Sequence, residues 1–89
     1  MSTRIALTEE EREALGYILD LAAEDQDQYL KYGDPHADYG NEIGEAFKNK
    51  ARMFRTIGTL AYRMGFPGES ERWNDMANTC EEIITPEEL

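Results

Sequence analysis

The chain lacks several features that would narrow its function. Its 89 residues include a single cysteine, so no disulfide can form within it and an oxidising compartment is not indicated. No apolar run approaches the roughly 18 residues that a membrane-spanning helix needs. Residues 1–7 are too short, and are followed too soon by acidic residues, for a signal peptide. These absences predict a cytoplasmic protein without a membrane partner.

Signatures of catalysis and of cofactor binding are missing as well. The chain has one histidine, no glycine-rich phosphate loop, and no grouping of serine, histidine and aspartate. His36, with Asp34, Asp38 and Glu42 nearby, lacks the paired ligand spacing of a metal site. Cys80 falls on an apolar helical face, which is typical of a buried, unreactive thiol. The sequence therefore predicts no enzyme, no cofactor and no metal.

Acidic residues are in large excess, and the charges are segregated along the chain. Nineteen acidic residues against nine basic residues give a net charge of -10. The stretch 46–68 nevertheless contains no acidic residue and holds five of the basic ones. A net charge of this sign argues against direct binding to nucleic acid or to anionic membrane. It leaves open a basic partner protein, or mimicry of nucleic acid.

Capping signals and apolar spacing predict three helices in a single domain, residues 1–89. Thr8 and Glu11 form a capping box at the start of the first helix, and Gly33 is placed to end it. Gly65 is placed to end the second helix, and we expect both glycines to have positive φ. The predicted helices span residues 9–32, 39–64 and 69–84, approximately.

Short loops between these helices make neighbours antiparallel. The predicted fold is therefore all-α, a small up-down-up three-helix bundle in which two long helices form an antiparallel hairpin and the third is shorter. The apolar faces predict a buried core of ten residues. They are Leu15, Ile18, Ala22, Phe47, Phe54, Ile57, Ala61, Trp73, Met76 and Cys80.

The helix lengths predict an exposed end. At about 1.5 Å per residue the first two helices are roughly 35–40 Å long and the third only about 24 Å, so the third leaves one end of the hairpin uncovered. The tyrosines and aliphatic residues there are typical of an interface. The candidate interface residues are Leu21, Tyr29, Leu30, Tyr32, Tyr39 and Ile43. Either two copies pair through this end, or the 33–41 segment folds back over it and leaves a monomer.

The second predicted helix carries a basic strip, Lys48, Arg52 and Arg55, which has two interpretations. It is a candidate anion-binding site for phosphate, a nucleotide or an acidic partner. Alternatively, its side chains pair within the chain, and such exposed pairs contribute only about 0.2–1 kcal/mol each. The candidate carboxylates for such pairing are Asp20, Glu24, Asp25, Glu81 and Glu82.

From these observations we predict a non-enzymatic protein-interaction or regulatory protein that acts through an oligomeric helical bundle. Its expected partners are itself, as a homodimer or higher oligomer, and another protein with a basic surface. One alternative is a small acidic inhibitor, of the kind encoded by phages, that mimics nucleic acid and blocks a basic groove. The other is a small anionic-ligand binder that uses the basic strip.

Overall fold

The computed structural model describes residues 6–84 and shows an all-α bundle, as predicted. Within that range the helices are α1 Glu9–Tyr32, α2 Pro35–Tyr39, α3 Ile43–Arg63 and α4 Pro67–Ile83. A 3₁₀ turn, Gly40–Glu42, joins α2 to α3. The three long helices correspond to the three predicted from the sequence, and α2 is an additional short helix in the first connection.

The start of α1 follows the prediction, whereas Gly33 at its end does not. The Thr8 side chain accepts from the Glu11 amide at 3.1 Å, and the Glu11 carboxylate accepts from the Thr8 amide at 2.9 Å. The hydrogen bond from the Thr8 amide favours the ionised carboxylate and so lowers the pKa of Glu11. Gly33 has a φ of -76°, so the predicted positive φ is wrong. Any Cβ at this position would lie 2.5 Å from the Tyr29 carbonyl oxygen, so a close approach explains the glycine.

Two other boundaries differ from the predicted ones. The helix expected from residue 39 begins at Ile43, because Tyr39 belongs to α2 and Gly40 interrupts the helical backbone with a φ of 56°. The helix expected from residue 69 begins at Pro67, whose ring presets the backbone angle of a first helical turn. Gly65 has a φ of 91°, which confirms its predicted role at the end of α3.

The closest packing in the bundle is between α3 and α4, and α1 packs on α4. The rings of Phe54 and Trp73 meet edge to face with 5.3 Å between their centroids. A Cβ on Gly58 would lie 3.1 Å from the Ser70 carbonyl oxygen, so glycine permits this close approach. The predicted second and third helices therefore form the tightest hairpin of the fold.

Most of the predicted core is confirmed on α3 and α4. Six of the ten predicted residues are buried, namely Phe47, Phe54, Ala61, Trp73, Met76 and Cys80. Leu15 and Ile57 are half-buried. Ile18 and Ala22 are exposed, so their predicted burial is wrong; the fully buried residue of α1 is Ala23. Because α1 has apolar residues on two sides, spacing alone does not show which side packs on α4.

Candidate protein-interaction surface

An apolar trough runs between α1 and α3. Both helices pack on α4 but make little contact with each other, so a space remains between them. This trough has a volume of about 430 Å³. Its lining comes from α1, α2, α3 and α4: Ala22, Gln26, Tyr39, Ala46, Asn49, Lys50, Met53, Phe54, Ile57 and Trp73.

Two aromatic residues that line the trough belong to the buried core, Phe54 and Trp73. The indole N–H of Trp73 has no hydrogen-bond partner among residues 6–84, and the residue is only 2% exposed. In the described structure, Oε2 of Glu69, one turn earlier on α4, is also buried and unpaired. An unsatisfied buried polar group costs about 1–3 kcal/mol.

Large apolar side chains are exposed along both sides of the trough. On α3, Met53 is 59% exposed and Leu60 is 42% exposed; on α1, Ile18 and Leu21 are 59% and 57% exposed. A shallow hollow lined by Ile18 and Leu21 shares Ala22 with the trough, so the two surfaces are continuous. Contiguous exposed apolar surface of this kind is typical of protein–protein interfaces.

The exposed and half-buried apolar residues on these sides of α1 and α3 follow the spacing of a helix–helix seam. Intervals of three, four and seven residues connect Ala46, Met53, Ile57, Leu60 and Met64 on α3. The same kind of spacing connects Ala14, Ile18 and Leu21 on α1. Such intervals place side chains on one stripe of a helix that another helix can cover. We missed this second stripe because the more apolar stripe of α3, which forms the core, dominates the pattern.

The end of the bundle that we predicted to be open is largely covered. Tyr39 packs edge to face on Phe47 with 5.6 Å between the ring centroids. The Tyr29 hydroxyl donates to Asp38 at 2.6 Å, and so ties α2 to α1. This is the alternative in which the 33–41 segment folds back over the bundle. As a result, Ile43 is only 2% exposed and belongs to the core, so its prediction as an interface residue is wrong.

The other candidate interface residues are divided between exposed and partly covered positions. Tyr29, Leu30 and Tyr39 are half-buried, whereas Leu21 and Tyr32 are exposed. Tyr39 also lines the trough, and Leu21 lines the adjoining hollow. Apart from Tyr32 at the end of the bundle, the exposed candidate residue is therefore on the side of α1.

A polar hollow of about 710 Å³ lies beside the trough, between α1 and the segment that contains α2. Lys50 lines both spaces, and its ammonium lies 5.5 Å from the centre of the Tyr29 ring and 3.5 Å from the Gln26 side-chain oxygen. Tyr29 is itself bonded to Asp38. Because these polar groups already contact one another, the hollow offers fewer free groups to a ligand than its size suggests.

The basic strip is partly paired within the chain. Arg55 contacts Glu81 and donates to the Asn78 side chain at 3.0 Å, so one predicted pair is confirmed. Lys48 and Arg52 are exposed, and no carboxylate of residues 6–84 forms an ion pair with either. Pairing within the chain is therefore confirmed for Arg55, and anion binding by the strip stays a prediction.

Two of the carboxylates expected opposite the strip pair elsewhere. Arg72 of α4 donates to Asp20 at 2.7 Å and to Glu24 at 2.9 Å. These bonds hold α1 against α4 rather than against α3, which is why the expected pairing with the strip is wrong for Asp20 and Glu24. The remaining exposed carboxylates of α1 and α4 leave the acidic-inhibitor alternative a prediction.

The other reactive groups lie outside the trough. Cys80 is fully buried, and burial raises the pKa of its thiol to about 11. Asp34 caps α2, and Asp38 accepts a hydrogen bond from the Tyr29 hydroxyl. Within the described range, no three histidine, cysteine or carboxylate residues are grouped as metal ligands would be. None of the helices from α1 to α4 has the length and apolar character needed to cross a bilayer.

Comparisons of the chain with models of protein families, with curated proteins and with solved structures find no match.

Proposed function

We propose that this protein is a non-enzymatic interaction protein that works as an oligomer, with its copies joined at the trough between α1 and α3. The observation that carries the proposal is the continuous exposed apolar surface of these two helices. α1 and α3 both rest on α4, so a third and fourth helix placed over them would complete a four-helix bundle. A second copy offers two such helices with the same apolar stripes.

The proposed absence of enzymatic activity is supported by the state of the one cysteine. Cys80 is inaccessible and its thiol is neutral near pH 7, so it is a poor nucleophile. A single cysteine also provides no disulfide, which is consistent with the cytoplasm as the proposed compartment.

Light scattering on the purified protein at micromolar concentrations tests this proposal. We expect a mass of twice 10.2 kDa or a higher multiple. A charge in the trough, Met53→Glu, should return the protein to the monomer mass, because burying an unpaired carboxylate opposes association. Tyr62→Glu is the matched control, since Tyr62 is also an exposed apolar residue of α3 but does not line the trough. A wild-type monomer at every concentration, or equal effects of the two variants, would contradict the proposal.

A further inference from the structure

The two helices that border the trough carry opposite net charges. α1 has eight acidic and two basic residues, whereas α3 has one acidic and five basic residues. The net charges are therefore -6 on α1 and +4 on α3. If two copies associate, this difference determines which helices of the two copies can lie against each other.

Two arrangements bring the trough of one copy onto the trough of another with two-fold symmetry. If the axis is perpendicular to the helices, α1 lies on α1 and α3 lies on α3. If the axis is parallel to the helices, each α1 lies on the α3 of the other copy. The first arrangement places like charges together, and the second places opposite charges together, which favours it.

We infer that the trough is closed by a second copy of this chain whose α1 lies against α3 of the first, about an axis parallel to the helices. This inference rests on the proposed function. To the proposed function it adds the relative orientation of the two copies, and it identifies the charges of α1 and α3 as the feature that selects this orientation. The resulting bundle has four helices, α1 and α3 from each copy, with α4 on the outside of both.

The register of this arrangement follows from contacts within one copy. The Arg12 guanidinium donates to the Met64 carbonyl oxygen at 3.2 Å, so these parts of α1 and α3 lie level. Lys50 contacts Gln26 at 3.5 Å, which sets the level at the other end. Rotation about an axis parallel to the helices leaves every residue at its own height. Asp25 of the second copy therefore lies level with the turn of α3 that contains Arg52.

Asp25 and Arg52 have the properties that such a pair requires. Both are exposed, and neither forms an ion pair within residues 6–84. Asp25 lines the hollow that contains Ile18 and Leu21, so it lies beside the apolar stripe of α1. Arg52 precedes Met53 and lines a groove of about 310 Å³ that also contains Leu60. The pair therefore lies at the edge of the apolar contact, where charges select orientation.

In the same register, the apolar parts of the two stripes meet near the middle of the bundle. Ile18 lies between the levels of Arg12 and Gln26, about midway, and so level with the part of α3 around Gly58. The apolar residues of the α3 stripe nearest to that level are Ile57, which is half-buried, and Leu60, which is exposed. The arrangement thus places apolar side chains opposite one another and charged side chains toward the edge.

Charge reversal tests this inference, with the dimer dissociation constant measured by sedimentation. Asp25→Arg and Arg52→Glu should each weaken the dimer about tenfold or more, because each change affects two symmetric contacts. The double variant should return to within about threefold of the wild type. Glu13→Arg combined with Arg52→Glu is the matched control. It makes the same changes in charge, but Glu13 lies about 18 Å along α1 from Asp25 and so is not level with Arg52. We therefore expect no recovery.

The outcomes separate this inference from the proposed function. A wild-type dimer whose double reversal is no tighter than the single ones would overturn the arrangement and leave the proposed function standing. Equal recovery in the control would show that only net charge matters, and would also overturn it. A wild-type monomer would overturn both. As a second measurement, a mixture of Asp25→Cys and Arg52→Cys copies should form a disulfide between unlike copies faster than either variant alone.

Discussion

The hydroxyl of Tyr29 donates a hydrogen bond of 2.6 Å to the carboxylate of Asp38, and this contact joins the end of α1 to α2. It holds the connecting segment where Tyr39 can pack on Phe47. Ile43 and Phe47 are consequently enclosed, although α4 is shorter than α1 and α3. A short helix in a connection has thus replaced the cover that we had expected from a second copy.

Tyr29→Phe should lower the free energy of unfolding by about 1 kcal/mol, because it removes this hydrogen bond and keeps the ring. Amide hydrogen exchange in the segment 35–42 should accelerate at the same time. Tyr32→Phe is the control, since Tyr32 is 83% exposed and should have little effect. Unchanged exchange in the Tyr29 variant would mean that other contacts hold α2 in place.

Phe54→Ala should destabilise the protein by about 3–5 kcal/mol, because it leaves a cavity beside Trp73. Tyr62→Ala on the same helix should cost less than about 0.5 kcal/mol, as expected for an exposed position. Urea unfolding followed by circular dichroism measures both. Similar losses in the two variants would mean that the core side of α3 is misassigned.

Gly65→Val should destabilise more than Gly58→Ala. A side chain at Gly65 must adopt a φ of 91°, and left-handed backbone costs about 1–2 kcal/mol for an L-residue. At Gly58 a Cβ presses on the Ser70 carbonyl oxygen, but alanine also gains about 1 kcal/mol in helix propensity, so the two effects largely cancel. Thermal unfolding of the two variants gives the comparison, and equal losses would contradict it.

Local signals explain how much of the fold could be predicted. The capping box at Thr8 and the glycine at Gly65 act over a few residues, so α1 begins and α3 ends where the sequence indicates. Gly33 was misjudged because its role depends on the position of the Tyr29 carbonyl, which sequence spacing does not reveal. The short helix α2 is not indicated by the sequence, because a proline just after Gly33 is compatible with the end of one helix as well as with the first turn of another, which Pro35 occupies here.

The candidate surface was harder to predict than the fold. Ile18 and Ala22 have the spacing of core residues, and only the position of α4 shows that they are exposed. Arg72 of α4 pairs with Asp20 and Glu24, so the side of α1 that faces α4 is not the side that carries Ile18 and Ala22. Recognising two apolar stripes on each of α1 and α3 would have identified the trough, since a helix in a three-helix bundle buries only one broad stripe.

Cys80 should react slowly with a thiol reagent at pH 8, at a rate limited by unfolding, and rapidly in urea. Burial raises the pKa of its thiol from 9.0 to about 11. Between these two pH values the folded protein keeps the thiol proton, whereas the unfolded chain releases it. The associated stability is fully present below pH 9 and is lost as the pH rises through 11. Fast reaction of the folded protein at pH 8 would contradict the burial of this residue.

The most direct test of the trough as the surface that joins copies is hydroxyl-radical footprinting of the wild-type protein over a range of concentrations. Met53 and Tyr62 are both exposed residues of α3, but only Met53 lines the trough. We predict that the oxidation rate of Met53 falls as the concentration rises through the association range, while that of Tyr62 stays constant. An oxidation rate of Met53 that is independent of concentration, in a protein whose mass doubles, would place the interface elsewhere and contradict the account.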